Sequence, residues 1–344
     1  MGSARRINPK VYIVGVVVLI GVIVGVTLYY VTGEFCGTGQ TEYVYIDGDD
    51  TQDSVFAKLK PIATSHGYTG FCTMARHSGY GDDVRTGCYE IKAGETTYQI
   101  LMRLRRGLQT PVRVVVPEVR TMEAMAGVMG RRLMMDSAYM AGMLRDSSFL
   151  AQYGCDTATV AALFIPNTYE MYWNVGMEAF MGRMKREHDA FWDEGRRALA
   201  DSLGMTATEV ATLASIIDEE TSVDAEKARI AGMYVNRLVE GMPLQADPTI
   251  KFALKNFSLR RIYRKQLFVD SPYNTYLNIG LPPGPIKVAS IAGMDAVLNY
   301  ERHNYLYMCA KEDFSGTHNF ASTYAEHLSN ARKYSQALNK KGIK

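Results

Sequence analysis

TATEVATLASIIDEET, residues 206–221, carries the clearest helical pattern in this chain. Thr206 and Glu209 have the spacing of a capping box, which predicts that a helix begins here. Steps of about 100° per residue then place Leu213 and Ile217 on one apolar face. The sequence therefore predicts one helix over this segment, with three consecutive acids near its C-terminal end.

The three acids face different directions on that helix. The same count puts Glu219 nearly opposite the apolar face, Asp218 on its flank and Glu220 on its margin. A carboxylate on the margin either has a buried partner or keeps its proton, because burial disfavours the charged form. Glu220 is therefore a candidate general acid. The alternative, which the helical pattern alone favours, is an acid bonded to nearby backbone or to an arginine.

The N-terminal segment indicates the compartment. Val11–Gly33 holds no charged residue and follows Arg5, Arg6 and Lys10. About 20 apolar residues suffice to cross a bilayer, and no small-x-small cleavage site follows the segment. Because basic flanks stay in the cytoplasm, we expect a single-pass transmembrane helix with residues 1–10 inside and the bulk of the chain exported.

Composition limits the classes of ligand and cofactor that we expect this protein to bind. The chain has 344 residues, a net charge of +2 and 22% charged residues, an ordinary surface that gives no sign of nucleic-acid binding. The five cysteines lack metal-site spacing, and no nucleotide-binding motif is present, so we expect neither a metal nor another cofactor. Cys72 and Cys88 could pair in an oxidising space, but the odd cysteine count leaves this open.

Outward from the 206–221 helix, the pattern predicts an α+β protein. Tyr43–Ile46 and Tyr89–Ile91 have strand character, and a capped turn and a helix follow each. The expected division is a cytoplasmic N-terminus (1–10), a transmembrane helix (11–33), a linker (34–42), a small α+β subdomain (43–111), a larger mixed α+β domain (112–338) and a basic tail (339–344).

Several local expectations complete the larger domain. They are a strand over Val112–Val116, single helices over Arg120–Met143, Met177–Leu203 and Glu226–Leu238, a loop over Phe164–Glu170, a strand over Tyr305–Ala310 with a return strand over His318–Phe320, and a frayed tail over Asn330–Lys344.

Three Pro-containing segments follow the helix over Glu226–Leu238. They are LQADPT (244–249), SPYNTY (271–276) and GLPPGPI (280–286). Proline fixes the backbone, so these loops are expected to be rigid. Amides, carboxylates and tyrosine rings on rigid loops suit a polar polymer such as a glycan.

These segments resemble the YceG-like family, the MltG-type endolytic murein transglycosylases. The matching blocks are IPNTYEMY (165–172), ASIIDEET (214–221), VNRL (235–238), GMPLQADPTI (241–250), YNTYL (273–277), GLPPGPI (280–286), and YLYMCA (305–310) followed by HNF (318–320). The second strand–turn–helix, YEIKAGETTYQILMRLRRG (89–107), resembles the LysM type of peptidoglycan-binding fold. The alternative for it is a spacer that packs on the main domain.

The resemblance implies a LysM-like subdomain, a catalytic domain and Glu220 as the catalytic residue. Asp218 stands where the family has its other acid, and it would have a supporting role together with His318. The implied substrate-binding residues are Tyr169, Glu170, Asn236, Gln245, Asp247, Asn274 and Tyr276. The implied partners are peptidoglycan glycan strands and membrane-bound cell-wall synthases, at the periplasmic face of a bacterial inner membrane.

The implied reaction cleaves the β-1,4 bond between N-acetylmuramic acid and N-acetylglucosamine inside a glycan strand. Glu220 would act alone as general acid and base, because the sugar's own C6 hydroxyl attacks and leaves a 1,6-anhydro end. Three alternatives stay open: a catalytically inactive membrane-tethered peptidoglycan-binding scaffold, a hydrolase that uses Asp247 as a second carboxylate, and a partner-binding structural protein.

Overall fold

A computed structural model describes residues 9–259 and 261–341 of the chain. These residues form two units. Unit 1 holds the described residues up to Arg113 together with Glu170–Val175, and unit 2 holds Val114–Tyr169 and the described residues from Gly176 onward. The predicted cytoplasmic N-terminus (except Pro9 and Lys10) and the end of the predicted basic tail, residues 342–344, lie outside the described residues.

Unit 1 begins with a long apolar helix and continues as a small α+β module. Its elements are α1 (Pro9–Thr32), β1 (Glu42–Ile46), α2 (Gln52–Leu59), α3 (Ser65–His77), a 3₁₀ turn (Tyr80–Asp82), β2 (Gly87–Ile91) and α4 (Thr97–Arg106).

Helix α1 is the one helix in the described part of the chain that is long and apolar enough to cross a membrane. None of its residues is buried. A helix whose apolar side chains are exposed all round is the expected form of a membrane-spanning segment.

The module after α1 is a two-stranded sheet covered by helices. Strands β1 and β2 pair antiparallel, with Val44 opposite Tyr89. Capping boxes at Thr51 and Thr96 begin α2 and α4 and fix where the chain leaves each turn. The predicted strands and capped helices are present, and α3 is an additional helix between them. The LysM-like classification and the domain boundaries drawn from the sequence stay predictions.

The chain passes between the two units within β3 (Val112–Val115) and β4 (Thr168–Met171). The other elements of unit 2 are α5 (Met122–Gly130), α6 (Ser137–Met143), α7 (Ser147–Ala151), α8 (Val160–Leu163), α9 (Met177–Phe191), α10 (Glu194–Ser202), α11 (Ala207–Glu220), α12 (Asp224–Val239), α13 (Asp247–Ala253), a 3₁₀ turn (Arg264–Phe268), α14 (Ile291–Leu298), β5 (Tyr307–Ala310), β6 (His318–Ala321) and α15 (Tyr324–Lys340).

Helix α11 lies at the centre of unit 2. The predicted capping box is formed: the backbone N–H of Thr206 donates to Glu209 at 2.7 Å, and the Glu209 N–H donates to the Thr206 hydroxyl at 3.2 Å. Every residue from 210 to 217 is buried, whereas the pattern had predicted a single apolar face. The difference arises because α10, α12 and α14 pack around the helix and cover its other sides.

Two helices predicted as continuous are broken. The region predicted as Arg120–Met143 is α5 and α6, and the region predicted as Met177–Leu203 is α9 and α10. At each break an aspartate caps the second helix: Asp136 accepts from the Tyr139 N–H, and Asp193 accepts from the Arg196 N–H. A short carboxylate that bonds backbone N–H groups ends one helix and begins another.

Two predicted irregular segments are regular. Strand β4 occupies the last three residues of the predicted loop Phe164–Glu170, and α15 replaces the predicted frayed tail as far as Lys340. A capping box at Thr323 and Glu326 begins α15. The predicted strand pair is confirmed, since β5 and β6 pair antiparallel. Cys72 and Cys88 are both free thiols in this structure.

Candidate active site

A cavity of about 330 Å³ opens in unit 2 at the C-terminal end of α11. Helix α12, the segment before α13, the strands β5 and β6, and α15 supply its other walls. Its polar and charged lining residues are Glu220, Tyr234, Arg237, Gln245, Asp247, Tyr276, His318 and His327. Among the described residues, no group of three or more His, Cys, Asp or Glu is placed to hold a metal ion.

Glu220 is the last residue of α11, and its carboxylate meets a tyrosine. The Tyr234 hydroxyl, carried by α12, donates to Oε1 of Glu220 at 2.9 Å. Tyr234 is only 2% exposed, and its pKa lies well above the ordinary range because of burial and the nearby Glu220. A phenol with a raised pKa keeps its proton, so it stays a hydrogen-bond donor to the carboxylate.

Burial raises the pKa of Glu220 to about 7. The negative charges of Asp247 and Glu219 act in the same direction, whereas the Tyr234 hydrogen bond and the Lys251 charge lower the pKa. A carboxyl with this pKa is populated in both protonation states near neutral pH. It can therefore donate a proton and later accept one, which is what general acid–base chemistry needs.

Asp247 and Tyr276 meet across the cavity mouth. Tyr276 donates its hydroxyl hydrogen to Oδ1 of Asp247 at 2.6 Å, and burial together with that carboxylate raises the pKa of Tyr276. Asp247 is the first residue of α13, with Pro248 behind it, so proline and the helix start fix its position. Two of the three predicted Pro-containing segments, 244–249 and 271–276, are thus joined at the site.

Gln245 lies on a strained turn beside this pair. Its backbone has φ of +51°, a left-handed conformation that is uncommon for residues with a side chain. The Gln245 N–H donates to the Thr275 carbonyl at 3.0 Å, and its side-chain oxygen accepts from Arg237 at 3.4 Å. Backbone bonding between the two loops holds this conformation and presents the exposed amide to the cavity.

Arg237 is a cavity residue that the sequence reasoning missed, although VNRL was one of the matching blocks. Its guanidinium donates to the carbonyls of Leu306 (2.6 Å), Pro243 (3.1 Å) and Leu244 (3.0 Å). Burial lowers its pKa from the ordinary value. Arg237 therefore joins α12 to the loop before α13 and to the residue before β5, and it places positive charge in the cavity wall.

Asn236, predicted to bind substrate, braces the chain instead. Its amide donates to the carbonyls of His303 at 2.7 Å and Tyr305 at 3.0 Å, and it does not line the cavity as described. These bonds fix the approach to β5. The predicted substrate contact is not supported, because α12 turns this side chain towards the segment before β5.

His318, a predicted supporting residue, lines the cavity from β6. Its backbone N–H and its Nδ1 lie 2.7 and 2.9 Å from the two carboxylate oxygens of Glu226, which is itself 7% exposed. His327 on α15 is a further lining residue that was missed. The Thr323-to-Glu326 spacing was the available signal, because it is that of a capping box and predicts the helix that carries His327.

Asp218, the other predicted supporting residue, acts away from the cavity. Its carboxylate accepts from the Ser290 N–H and hydroxyl, both at 2.7 Å, and pairs with Lys227 at 2.9 Å. It thereby ties α11 to the first residue before α14. A Cβ added at Gly293 would lie 2.7 Å from its Oδ1, so glycine is needed for this close approach.

Glu219 has yet another set of partners. It accepts a forked pair of hydrogen bonds from Arg120 at 2.8 and 3.0 Å, and Lys287 lies 4.0 Å away. The three acids of α11 are therefore separated as the helical count predicted, each facing a different neighbour.

Asn274 was predicted to bind substrate and is instead fully buried in its loop. Its amide donates to the carbonyls of Leu267 and Val269 at 3.0 and 2.8 Å, and its oxygen accepts from the Tyr276 N–H at 3.0 Å. All of its hydrogen-bonding groups are thus engaged within the loop. We therefore assign Asn274 to bracing the turn that carries Tyr276.

Tyr169 and Glu170 are also outside the cavity lining as described. Tyr169 is buried and donates its hydroxyl hydrogen to the Ile165 carbonyl at 2.7 Å. Glu170, in unit 1, pairs with Arg113 at 3.4 Å. Both lie in β4, where alternation turns neighbouring side chains to opposite faces. The structure gives no support to their predicted substrate contacts.

The raised pKa of Glu220 has a consequence for stability. Folded protein holds this proton up to about pH 7, whereas the unfolded carboxyl releases it near its ordinary value of 4.5. The contribution of Glu220 to the free energy of unfolding is therefore full below pH 4.5 and lost as the pH rises to 7. Glu220→Gln removes this titration. Between pH 4.5 and pH 8 we therefore expect the free energy of unfolding of the native protein to fall by about 3 kcal/mol relative to that of the variant.

Urea unfolding of both proteins at each pH, followed by tryptophan fluorescence, measures the difference. Glu194→Gln, at an exposed position of α10, is the matched control and should show no trend. A stability difference for Glu220→Gln that is constant over this pH range would mean that Glu220 titrates as an ordinary surface carboxyl.

Known proteins resemble this chain in sequence. An endolytic murein transglycosylase of Bacillus subtilis is 42% identical over 130 residues, which are 38% of this chain and 35% of that protein. An endolytic murein transglycosylase of Streptococcus pneumoniae is 25% identical, over 77% of this chain and 53% of that protein. The chain thus spans about half the length of these curated relatives, or less.

A solved structure and a family model agree with these relatives. The crystal structure of a yceG-like protein of Listeria monocytogenes matches with a TM-score of 0.55 and 25% identity, over 85% of this chain and 99% of that chain. The model of the YceG-like family matches residues 44–333, which include every wall of the cavity. The resemblance predicted from the sequence blocks is confirmed: this chain belongs to the YceG-like family.

Proposed function

We propose that this chain is a membrane-anchored endolytic lytic transglycosylase that cleaves peptidoglycan glycan strands. The observation that carries the proposal is the carboxyl of Glu220, which has a pKa of about 7 and faces a polar cavity. The names of the relatives support the choice of substrate, since both are endolytic murein transglycosylases. The bond cleaved would be the β-1,4 bond between N-acetylmuramic acid and N-acetylglucosamine.

One carboxyl suffices for this reaction. Protonated Glu220 gives its proton to the glycosidic oxygen, so that the bond from that oxygen to C1 of the muramic sugar breaks. The C6 hydroxyl of the same sugar then attacks C1, and the Glu220 carboxylate takes the hydroxyl proton. The products are a free 4-hydroxyl on one strand and a 1,6-anhydro end on the other. Glu220 ends protonated, as it began, and no water is consumed.

The neighbours of Glu220 have defined tasks in this proposal. Tyr234 donates to the carboxylate, which steadies it after the first proton transfer. Gln245, Tyr276 and His318 offer an amide, an aromatic ring and an imidazole to sugar hydroxyls and acetamido groups. Each of these side chains or its backbone is already held by a hydrogen bond: Gln245 by Thr275 and Arg237, Tyr276 by Asp247, and His318 by Glu226. Little side-chain entropy is therefore lost when a glycan strand binds.

The hydrolase alternative would need Asp247 as a second carboxylate that activates water. One Asp247 oxygen already accepts the Tyr276 hydroxyl at 2.6 Å, which favours a role in positioning that ring. The inactive-scaffold alternative has no need of a carboxyl whose pKa is raised at the cavity wall. Both alternatives are decided by the products of the reaction.

Helix α1 would anchor the enzyme in the bacterial inner membrane. Lys10 near its start, and Arg5 and Arg6 before it in the sequence, favour a cytoplasmic N-terminus. The cavity would then face the exported, periplasmic side, where peptidoglycan lies. Membrane-bound cell-wall synthases are candidate partners in the same plane.

We expect Glu220→Gln to fold and to lose glycan cleavage by at least about 10²-fold, because the amide cannot donate and then accept the proton. Mass spectrometry of purified glycan strands incubated with the full chain measures both rate and product. The native protein should yield internal fragments with 1,6-anhydro ends, and Glu194→Gln should match it. If native protein instead produced reducing ends, and Asp247→Asn did not, the chain would be a hydrolase. If native protein cleaved no glycan, the inactive-scaffold alternative would remain.

We expect the anchor to remain uncleaved and the body to be exported. Protease added to spheroplasts should digest the chain from about residue 34 onward and leave an N-terminal fragment that contains α1 in the membrane fraction. The physical reason is the uncharged span with basic residues only on its N-terminal side. Recovery of a soluble mature chain that starts after Gly33 would contradict this, as would protection of the whole body in intact spheroplasts.

We expect Asn274→Ala to act on stability rather than on chemistry. The change leaves two carbonyls and one N–H of the loop without partners, which should cost at least about 2 kcal/mol and lower Tm by roughly 4–8 °C. The fraction that stays folded should cleave glycan at close to the native rate. Asn299→Ala, at an exposed asparagine with one local bond, should change Tm less. A variant of native Tm with lost cleavage would restore Asn274 to the substrate site.

A further inference from the structure

We propose that a second hollow in unit 2, named here the stem groove, binds the acidic peptide stem attached to the muramic sugar. This inference rests on the proposed function and adds a subsite to it. The stem groove has a volume of about 380 Å³ and runs between the α5–α8 region and the end of α13. Its central residues are Arg120, Arg145, Phe252, Lys255, Phe257 and Tyr273.

The stem groove lies against the same elements that build the cavity. Helix α11 presents Glu220 to the cavity, while the preceding residue, Glu219, bonds Arg120 of the groove. Helix α13 begins at Asp247 in the cavity, and Phe252 of the same helix lines the groove. The two hollows therefore share α11 through consecutive residues and α13 through residues that lie within two turns of each other.

The loop that carries Tyr276 makes the same connection. Tyr276 faces the cavity and Tyr273, three residues earlier, faces the groove. The peptide stem of peptidoglycan branches from the muramic sugar, one of the two sugars at the bond to be cleaved. A strand seated at Glu220 would therefore bring a stem to within reach of the stem groove.

The walls of the groove suit small apolar residues. The Tyr273 and Phe252 rings pack with centroids 4.7 Å apart, and the Arg120 guanidinium lies 5.4 Å from the Phe257 ring centroid. Alanine methyl groups of a stem can pack on such rings. Sugar hydroxyls would instead need amide and carboxylate partners, which the cavity supplies and the groove walls largely lack.

The rim of the groove is positively charged. Among the described ion pairs, Lys255 has no carboxylate partner, and Arg145 pairs only with Glu123, with both side chains more than half exposed. Exposed pairs of this kind contribute little stability and are readily exchanged. Arg120 is different, because Glu219 holds it in a forked pair. Lys255 and Arg145 are therefore the cations available to the carboxylates of a stem.

The test compares two substrates with the full chain in detergent: glycan strands that carry their tetrapeptide stems, and the same strands stripped by an amidase. We expect Lys255→Glu and the double variant Arg145→Gln/Lys255→Gln to lower kcat/KM on stem-bearing strands by about 10-fold, the scale of a lost charge-assisted hydrogen bond. On stripped strands their kcat/KM should stay within twofold of native. Arg197→Gln, an exposed cation of α10, is the control and should change neither.

Equal losses on both substrates would assign the groove to the glycan and overturn the proposal. Variants that cleave both substrates at the native rate would also overturn the proposal. If such variants in addition sedimented differently from native protein, the groove would be assigned to contact with a second copy of the chain. The proposal would also be contradicted if the native protein cleaved stripped strands as fast as strands that carry their stems.

A binding measurement keeps the proposal testable even if the chain cleaves no glycan at all. Calorimetry with the peptide N-acetyl-L-alanyl-γ-D-glutamyl-L-lysyl-D-alanine, in which the acetyl group removes the terminal ammonium as the amide link to the muramic sugar does, should show binding to native protein and to Glu220→Gln. Binding should weaken about 10-fold in Lys255→Glu and when the carboxylates of the peptide are amidated. Undetectable binding to native protein, or binding that is indifferent to Lys255 and to amidation, would refute the stem groove.

Discussion

The hydrogen bond between Tyr234 and Glu220 is made where two buried helices, α11 and α12, present side chains to each other. Burying a carboxyl is costly unless it finds a partner or keeps its proton, and here it does both. Helix α11 is enclosed by α10, α12 and α14 along its length, so the Glu220 side chain cannot escape to water by a small rotation of the helix. Packing in the core thereby sets the chemistry at the helix end.

Three consecutive acids on one helix end therefore have three different surroundings. Asp218 pairs with Lys227 and accepts hydrogen bonds from Ser290 at the start of α14. Glu219 is held by Arg120 and Lys287. Glu220 alone reaches the cavity, where the field of Asp247 and Glu219 adds to the effect of burial. The cations near the end of α11 pair with Asp218 and Glu219 rather than with Glu220. They therefore do little to lower the pKa of Glu220.

Local signals in the sequence predicted α11, its capping box and the direction of its acids, because these depend only on helical periodicity and on side chain–backbone bonds. The same kind of signal was present at Asp193 and at Thr323 and would have predicted the break before α10 and the start of α15. Asn274 and Asn236 could not be assigned in this way. Whether an amide meets a ligand or a backbone carbonyl depends on where a distant segment passes, and Arg237 and His327 enter the cavity through such long-range packing.

The order in which the cavity walls are made follows from their positions along the chain. Glu220 and Tyr234 are synthesised about midway through unit 2, the segments around Asp247 and Tyr276 come next, and α15 with His327 comes after all the others. Until α15 has emerged and packed beside β5, one side of the pocket is missing. A nascent chain of this protein therefore holds Glu220 in an unfinished pocket, and the pocket is complete only when this last wall is in place.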